Sequence, residues 1–417
     1  MSTSTKAMDR IDRDRAIADF KAEWGTLIRE SRPPADRTLP VKRYVDLFAS
    51  VGGLSLGASL AMANEGYRGI PLLAADVDEA ALAVYARNLR PREVAGRSVA
   101  GMIDFRVSGA GSDARFSYEP IVTDERLSAL NGTIDLLLAG PPCQGHSSLN
   151  NHSRHDDPKN LLYLTVPAVA VATGAKHVVI ENVPNVVADR RGVVQTTITL
   201  LREAGYQVES GVLAADKLGW PQTRRRFFLV ASKDSTPASF AEVVDQFSAP
   251  ATAVGWLLGD LITSADSPTA DIMNTVPSLS AENRSRVDYL FDNELHDLPN
   301  AERPDCHKDG TTYSSSYGRM HWELPAPTIT GGFLSPGRGR FVHPKLRRVL
   351  TPREAARVQG FPDWFDFIVD ESRPPSRSQL ARWIGNAVPA ILGRAAVSAA
   401  LRGESASIAM RTELFAS

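Results

Sequence analysis

The stretch YVDLFASVGGLSLG, residues 44–57, decides the fold expected of this chain. An apolar run ends at Asp46-Leu-Phe48, a glycine pair follows at Gly52 and Gly53, and the apolar residues after it recur at helical spacing. A strand that turns through glycines into a helix lets the backbone approach a ligand, and the helix N-terminus can hold an anionic group. The stretch predicts a strand, a turn and a helix, although alone it fits a plain structural turn equally well.

The same alternation of short apolar runs and helix-like stretches continues to residue 232. It predicts an α/β fold, a doubly wound and mostly parallel sheet with helices on both faces. The runs at 207–214 and 227–231 are joined by a Gly-Trp-Pro loop without a helix, so they can pair as an antiparallel hairpin at a sheet edge. The predicted strands are Tyr44–Ala49, Pro71–Ala75, Ile134–Ala139, His177–Ile180 and Phe227–Ala231, and the helices Ala80–Asn88, Leu161–Ala172 and Val193–Ala204.

The composition is that of a globular protein. Of the 417 residues, 43% are hydrophobic and 23% are charged, and the net charge is −1. The apolar runs fall far short of the ~20 residues of a membrane span, and no charged-then-apolar leader opens the chain. We therefore expect a cytoplasmic protein without a membrane segment, associated with the nucleoid if its source is bacterial.

The sequence contains two cysteines, Cys143 and Cys306. Two cysteines allow at most one disulfide and do not make a CxxC zinc site. This excludes disulfide scaffolds, zinc fingers and the zinc-dependent base deaminases. We therefore expect no metal.

Changes in texture along the chain predict its domains. The charged N-terminal residues end in a proline pair and indicate a mobile arm, with a helical docking segment at Ile11–Ile28 as the alternative. The alternating region forms a sheet domain, to which a final helix returns after a loop-rich domain and a hinge. The predicted bounds are 1–40 for the arm, 41–239 plus 375–402 for the sheet domain, 240–352 for the loop-rich domain and 353–374 for the hinge.

An acidic residue follows the second predicted strand, in Asp76-Val77-Asp78. In sheets of this class such a carboxylate accepts hydrogen bonds from ribose hydroxyls. Together with the glycine turn, it suggests a cofactor that carries a nucleoside. A GxGxxG fingerprint is absent, which disfavours a nicotinamide cofactor.

A cysteine stands on a Pro/Gly-bracketed loop, Gly140-Pro-Pro-Cys-Gln-Gly145, directly after a buried strand. Open α/β sheets bind their ligands at this end of the strands. A free thiol is only a few per cent thiolate at neutral pH, yet it is already a strong nucleophile. Cys143 is a candidate nucleophile, and a small buried apolar residue is the alternative that the loop alone leaves open.

Two further blocks place charged residues beside predicted strands. Glu181 and Asn182 end one strand, where a carboxylate is either a desolvated acid with a raised pKa or a cap for the next turn. Gln222-Thr-Arg-Arg-Arg226 leads into the last strand, where Arg224 and Arg226 point to one side if the segment is extended. Such a pair can hold a planar acceptor or a phosphate, or form a solvated edge.

Six blocks in this order carry a family resemblance: DLFASVGG, GPPCQG, ENV, QTRRR, TPREAARVQGFP and GNAVP. The chain resembles the cytosine-5 DNA methyltransferases, which use S-adenosylmethionine, over about 41–232 and 319–400. The resemblance implies a Rossmann-like catalytic domain and a smaller target-recognition domain. It implies methyl transfer to carbon 5 of a flipped cytosine in duplex DNA through a covalent cysteine adduct, for restriction–modification or epigenetic marking. Related enzymes that methylate transfer RNA are the alternative; they have Pro-Phe-Thr where this chain has Gly145-His-Ser.

The resemblance also implies a role for each reacting residue. Cys143 would be the nucleophile that adds to carbon 6, and Glu181 the acid at ring position 3. Arg226 would face the 2-oxo group. Arg224 would support the loop that holds Cys143, and Asn182 would help to hold the active-site loop.

For the cofactor, the resemblance implies adenine stacking by Phe48, a ribose contact by Asp76, and glycines that let the methionine portion approach. Ser50 replaces the first glycine of the usual motif, and Val77 stands where a larger side chain often covers adenine. An insertion at about 92–119 blurs the later spacing, so Asp124 is the best match for the aspartate that contacts the adenine amino group. The predicted cofactor residues are Phe48, Val51, Gly53, Asp76, Val77, Asp124, Pro142, Leu162, Asn386 and Val388.

A basic stretch is the predicted DNA contact. Between residues 303 and 357 there are ten Lys or Arg and four acids, in a chain that is almost neutral. Phosphate contacts supply salt-dependent affinity, whereas base contacts set sequence specificity. The predicted substrate residues are Arg338, Arg340, Arg347 and Arg348, with Gln144 and Ser147 on the loop after the nucleophile. We expect double-stranded DNA as partner, a monomer, and a cognate restriction endonuclease as a candidate further partner.

Overall fold

The computed structural model describes residues 10–32, 36–142, 162–262, 271–308 and 315–402. The chain divides into two compact units. The sheet unit comprises Pro34–Leu213, Arg225–Gln246 and Ala387–Ser417, and the second unit comprises Met1–Pro33, Ala214–Arg224 and Phe247–Asn386.

The described part of the sheet unit is built on a seven-stranded sheet of order β10-β11-β9-β8-β1-β2-β3. Strands β3, β2, β1, β8 and β9 pair in parallel, and β11 runs antiparallel to β9. The doubly wound, mostly parallel sheet is therefore confirmed, and β10 does lie beside β11 at an edge. The strands are β1 (Val41–Leu47), β2 (Arg68–Asp76), β3 (Glu93–Gly96), β8 (Leu136–Ala139), β9 (His177–Asn182), β10 (Gln207–Ala214) and β11 (Arg225–Ser232).

Buried apolar residues explain the central strands. All residues of β8 and β9 are buried, as expected of parallel strands covered by helices on both faces. The expected insertion forms two small antiparallel sheets, and its Phe105 and Phe116 pack on the main core. The small strands are β4 (Ile103–Asp104), β5 (Val107–Ser108), β6 (Arg115–Phe116) and β7 (Ile121–Val122), where β4 pairs with β7 and β5 with β6.

Helices account for most of the remaining regular structure. One helical stretch of the described residues, Arg377–Arg402, is long and apolar enough to cross a membrane, but 89% of its apolar window is buried, as in a core helix. The helices are α1 (Arg10–Arg29), α2 (Gly53–Asn64), α3 (Glu79–Leu89), α4 (Glu125–Ser128), α5 (Thr165–Thr173), α6 (Val193–Glu203), α7 (Phe240–Phe247), α8 (Val254–Leu258), α9 (Ala281–Asp292), α10 (Pro352–Val358), α11 (Arg377–Asn386) and α12 (390–402).

The expectation of a mobile N-terminal arm is wrong for Arg10–Arg29, which form α1. Its buried residues Phe20, Trp24 and Ile28 recur every four positions and form one apolar stripe. Within the second unit, the ring of Trp24 lies 4.9 Å from that of Trp220, in an edge-to-face arrangement. Three large side chains are enough to dock a helix whose other faces are charged, so the alternative of a docking helix is the one observed.

The predicted hinge, 353–374, lies within the second unit, as do residues 375–386. Helix α10 begins with a capping box between Thr351 and Glu354 and is buried along most of its length. Arg357 on this helix pairs with Asp260 and Asp363, both in the second unit. These contacts tie the segment to that unit, and the functional domain bounds stay predictions.

Candidate active site

The ends of two neighbouring strands bring Glu181 and Arg226 together. Because β11 runs antiparallel to β9, its first residues lie beside the last residues of β9, and Phe227 pairs with Asn182. The Nε of Arg226 is 2.8 Å from Oε1 of Glu181, and the two side chains are 14% and 11% exposed. Opposite charges attract more strongly when they are shielded from water. A substrate that binds to Glu181 or to Arg226 must therefore offer an interaction that replaces this ion pair.

Asn182 connects the end of β9 to the predicted nucleophile loop. Its Nδ2 donates to the carbonyl of Pro141 at 3.2 Å, and its Oδ1 accepts from the N–H of Val183. A Cβ built on Gly140 would lie 3.8 Å from Oε2 of Glu181, so this loop starts beside the carboxylate. Pro142 ends the described part of the loop, and the predicted residues Cys143, Gln144 and Ser147 lie outside the described residues.

Arg224 is buried in the second unit, where its guanidinium donates to the carbonyls of Ile329 and Gly385 at 2.5 and 3.0 Å. It therefore joins the QTRRR block to the GNAVP block. Strand β11 begins at Arg225, so the alternation expected of Arg224 and Arg226 does not apply. Arg226, on β11, forms the ion pair with Glu181.

The loop after β1 has unusual backbone angles. Phe48 and Ser50 have φ values of 57° and 47°, in the left-handed region that favours glycine, and Gly52 has φ 93°. The N–H of Ser50 donates to Oδ2 of Asp76 at 2.9 Å, which links this loop to the end of β2. The glycine usual at position 50 is therefore explained by backbone conformation, which Ser50 adopts under strain.

Gly53 is required by packing within the sheet unit. A Cβ at this position would lie 2.6 Å from the carbonyl oxygen of Val388, so the segment before α12 passes directly over the start of α2. The lack of a side chain at Gly53 is therefore explained by this contact with the Val388 backbone, and the predicted approach of the methionine portion at Gly53 stays a prediction. Val388 and Val51 are buried, and Asn386 ends α11 in the second unit.

The remaining cofactor candidates differ in exposure. Val77 is 71% exposed directly after Asp76, which leaves an apolar surface beside the carboxylate. Phe48 is partly buried against the core, and Leu162 is half-buried just before α5. Asp124 is buried, caps α4, and pairs with Arg97 and Arg126. Its predicted contact with the adenine amino group stays a prediction.

The sequence analysis did not predict a buried carboxylate near the end of β1, just before the loop that contains Ser50. Asp46 on β1 is 1% exposed, and Oγ of Ser55 donates to it at 2.5 Å. The same Oγ lies 2.8 Å from Oη of Tyr85. Burial, with a smaller contribution from Asp76, raises the pKa of Asp46 to about 7. The sequence did contain a signal for this buried acid, because Asp46 is a charged residue within the apolar run Tyr44–Ala49.

Two of the predicted DNA-binding arginines form ion pairs on the surface of the second unit. Arg340 Nη2 is 2.6 Å from Asp297, and Arg347 is paired with Asp288 and Asp292 on α9. Arg340 and Asp297 together are neutral, and Arg347 with its two aspartates carries a net negative charge. Arg338 is exposed and has no acidic partner in the part of the chain that the structure describes.

Arg348 has a third environment. It makes two hydrogen bonds, of 2.7 and 2.8 Å, to the carboxylate of Glu354, which is 1% exposed. Burial alone raises the pKa of Glu354, but Arg348 holds it below its usual value. Arg348 therefore balances the buried negative charge of Glu354, which gives this arginine a structural role within the second unit.

The fold and this geometry define a class, the Rossmann-like methyltransferases. Asp76, the exposed Val77 and the strained loop at Ser50 fit a nucleoside-bearing methyl donor, with a carboxylate for the ribose and an apolar face for the base. The profile of the C-5 cytosine-specific DNA methylases matches residues 42–401. The chain belongs to this family, whose members transfer a methyl group from S-adenosylmethionine to cytosine in DNA.

Individual proteins that resemble this chain in sequence or in fold are also methyltransferases or methylases by name. The chain is 42% identical to Type II methyltransferase M1.BsuMI of Bacillus subtilis, over 89% of this chain and 83% of that protein. It is 31% identical to Type II methylase M.HgiDII of Herpetosiphon aurantiacus, over 85% and 93% of the two chains. The Dnmt2 methyltransferase of S. pombe has a similar fold, with TM-score 0.58, 15% identity and coverage of 87% and 98%.

Proposed function

We propose that this enzyme modifies cytosine at carbon 5 within a specific sequence of duplex DNA, through a covalent adduct with Cys143. The observation that carries the proposal is the ion pair of Glu181 and Arg226, which lies beside the start of the loop leading to Cys143. A cytosine offers complementary groups to this pair, because its ring nitrogen and its 2-oxo group are adjacent. The base replaces one charged contact with two hydrogen bonds to ionisable groups.

The proposed reaction begins at sulfur. The Cys143 thiolate forms a bond to carbon 6, and the electrons of the ring double bond move to carbon 5, which becomes nucleophilic. S-adenosylmethionine, when bound, supplies the methyl group. A water molecule then takes the proton from carbon 5, the electrons of that C–H bond re-form the ring double bond, and the bond between sulfur and carbon 6 breaks, which restores the thiolate.

Four residues support these steps in the proposal. Glu181 donates a proton or hydrogen bond to ring position 3 and stabilises the adduct, while Arg226 binds the 2-oxo group. Asn182 fixes the nucleophile loop through the carbonyl of Pro141. Arg224 acts at a distance, through the carbonyls of Ile329 and Gly385.

The substrate proposed is double-stranded DNA in the cytoplasm, with a cognate restriction endonuclease as the candidate partner. The Type II names of M1.BsuMI and M.HgiDII support modification of this kind. The alternative substrate, transfer RNA, has less support, because the family that matches residues 42–401 is that of the C-5 cytosine-specific DNA methylases. We further propose that the enzyme acts as a monomer.

The test is expression in cells that lack cytosine-5 methylation, followed by bisulfite sequencing of their DNA. We expect methylation at one sequence context, its loss in Cys143→Ala, and its retention in Cys306→Ala, because Cys306 is an exposed free thiol of the second unit. Methylation by Cys143→Ala would refute the covalent mechanism. Labelling of transfer RNA but not of DNA by the purified enzyme would refute the substrate.

A further inference from the structure

Ion pairs reduce the charge available for DNA in the predicted basic stretch. Arg340, Arg347 and Arg348 each have an acidic partner in the second unit. An arginine that already neutralises a carboxylate adds little to counterion release, because binding a phosphate must first break the existing pair. Of the four predicted arginines, Arg338 alone keeps an unbalanced charge within the described residues, so binding several phosphates requires further cations.

Two exposed arginines of the sheet unit meet this requirement. Arg225 is the first residue of β11, and Arg190 follows the short turn Pro184–Ala188 after β9. Neither has an acidic partner among residues that the structure describes. The acid next to Arg190, Asp189, is buried, and its carboxylate accepts from the N–H of Arg191. The positive charge of both side chains is thus available to a ligand.

Both arginines lie near the end of the sheet where β9 stops and β11 starts, which is the end that carries the candidate active site. Strand β9 ends at Asn182, and the antiparallel β11 begins at that same edge. The turn Pro184–Ala188 contacts β11, so the segments that carry Arg190 and Arg225 are neighbours. The ion pair of Glu181 with Arg226 lies at the same end of these strands, and the charge of Arg226 is balanced in it.

We propose that Arg190 and Arg225 bind backbone phosphates of the DNA beside the target cytosine. The inference rests on the proposed function. A guanidinium binds phosphate through two parallel N–H groups, so these contacts set the register of the DNA strand over Glu181 and Arg226. They position the substrate and carry no sequence information themselves.

The experiment measures binding of a mixed-sequence duplex DNA to the full-length protein at several salt concentrations. For Arg190→Ala and Arg225→Ala, we expect the slope of log affinity against log salt to fall in magnitude by about 1 each, and by about 2 for the double variant. Arg225→Lys keeps the charge and should keep the slope. Thermal unfolding and S-adenosylmethionine binding verify that each variant is folded.

Arg202→Ala is the matched control. Arg202 is also exposed and without an acidic partner in the described chain, but it lies at the end of α6, away from the edge where β9 ends. An unchanged slope in the double variant, or an equal loss in Arg202→Ala, would overturn the inference while the wild type still binds and methylates DNA. A wild type that binds no duplex DNA would overturn the proposed function as well.

Discussion

At the scale of single residues, the proposed chemistry depends on which groups of the substrate replace the contact between Glu181 and Arg226. Both side chains are shielded from water and already satisfy one another in the absence of substrate. Removing the carboxyl proton donor while keeping the shape of the side chain separates catalysis from binding. This distinction applies to Glu181 because its amide analogue can still occupy the same space.

Glu181→Gln should retain binding of DNA and S-adenosylmethionine but lower the rate of methyl transfer by roughly 10²–10⁴-fold, the usual contribution of general acid catalysis. Single-turnover methyl transfer to unmethylated genomic DNA measures this rate. Glu203→Gln, an exposed glutamate at the end of α6, is the control and should leave the rate unchanged. A wild-type rate in Glu181→Gln would remove this residue as the acid.

Ser50 offers a second prediction at this scale, because it holds φ 47° without being glycine. A left-handed conformation costs an L-residue about 1–2 kcal/mol, and glycine loses about 0.5–1 kcal/mol of that gain through its unfolded-state entropy. Ser50→Gly should therefore raise the free energy of unfolding by up to about 1 kcal/mol, measured by urea denaturation.

Glu294→Gly is the control for strain relief. Glu294 has φ 53° just after α9, in the second unit. It should stabilise the protein similarly without changing the affinity for S-adenosylmethionine, whereas Ser50→Gly is expected to change that affinity. Loss of stability in Ser50→Gly would show that the serine hydroxyl makes a contact that outweighs the strain.

At the scale of elements, β1 carries a buried acid whose pKa is raised by burial to about 7. In the unfolded chain this carboxyl titrates near 4. Below pH 4 both states are protonated and stability is highest in this respect. As the pH rises to 7, the unfolded state ionises freely while the folded state resists, so stability falls by at most on the order of 4 kcal/mol.

Asp46→Asn should flatten this pH dependence and raise the melting temperature above that of wild type at pH 8. Melting temperatures between pH 5 and pH 8 measure the effect. Asp135→Asn is a control of opposite sign: burial alone raises the pKa of Asp135, but hydrogen bonds from Lys176 and Arg43 lower it overall. Parallel curves for wild type and Asp46→Asn would contradict the assignment.

Elements also show how much of the fold follows from sequence. The strands β8 and β9 were predictable because fully buried parallel strands are almost continuously apolar. The docking of α1 was not, because its stripe consists of Phe20, Trp24 and Ile28 within a charged helix, and their partner Trp220 is remote in sequence. The spacing of apolar residues in a helix shows which face is buried, but it does not show which remote residues cover that face.

The candidate site divides in the same way. Local blocks identified Glu181 and Arg226, but only the antiparallel pairing of β9 with β11 brings the two side chains to 2.8 Å. The neutralisation of Arg347 could not be predicted, because its partners Asp288 and Asp292 lie on another element. Net charge along a stretch therefore overestimated the charge available to DNA.

At the scale of the whole molecule, both compact units are assembled from segments that are not contiguous in the chain. The second unit takes its first element, α1, from the N-terminus and other parts from beyond residue 247. Contacts of such large sequence separation slow folding, because long loops must close before these contacts can form.

Helix α1 has a consequence for synthesis. During translation α1 leaves the ribosome well before Trp220 and Trp256, with which Phe20 packs. At roughly 5–20 residues per second, the apolar stripe of α1 waits tens of seconds for its partners. We therefore expect the nascent chain to expose the three large hydrophobic side chains of α1 during that interval, as a surface that a chaperone for nascent chains could cover.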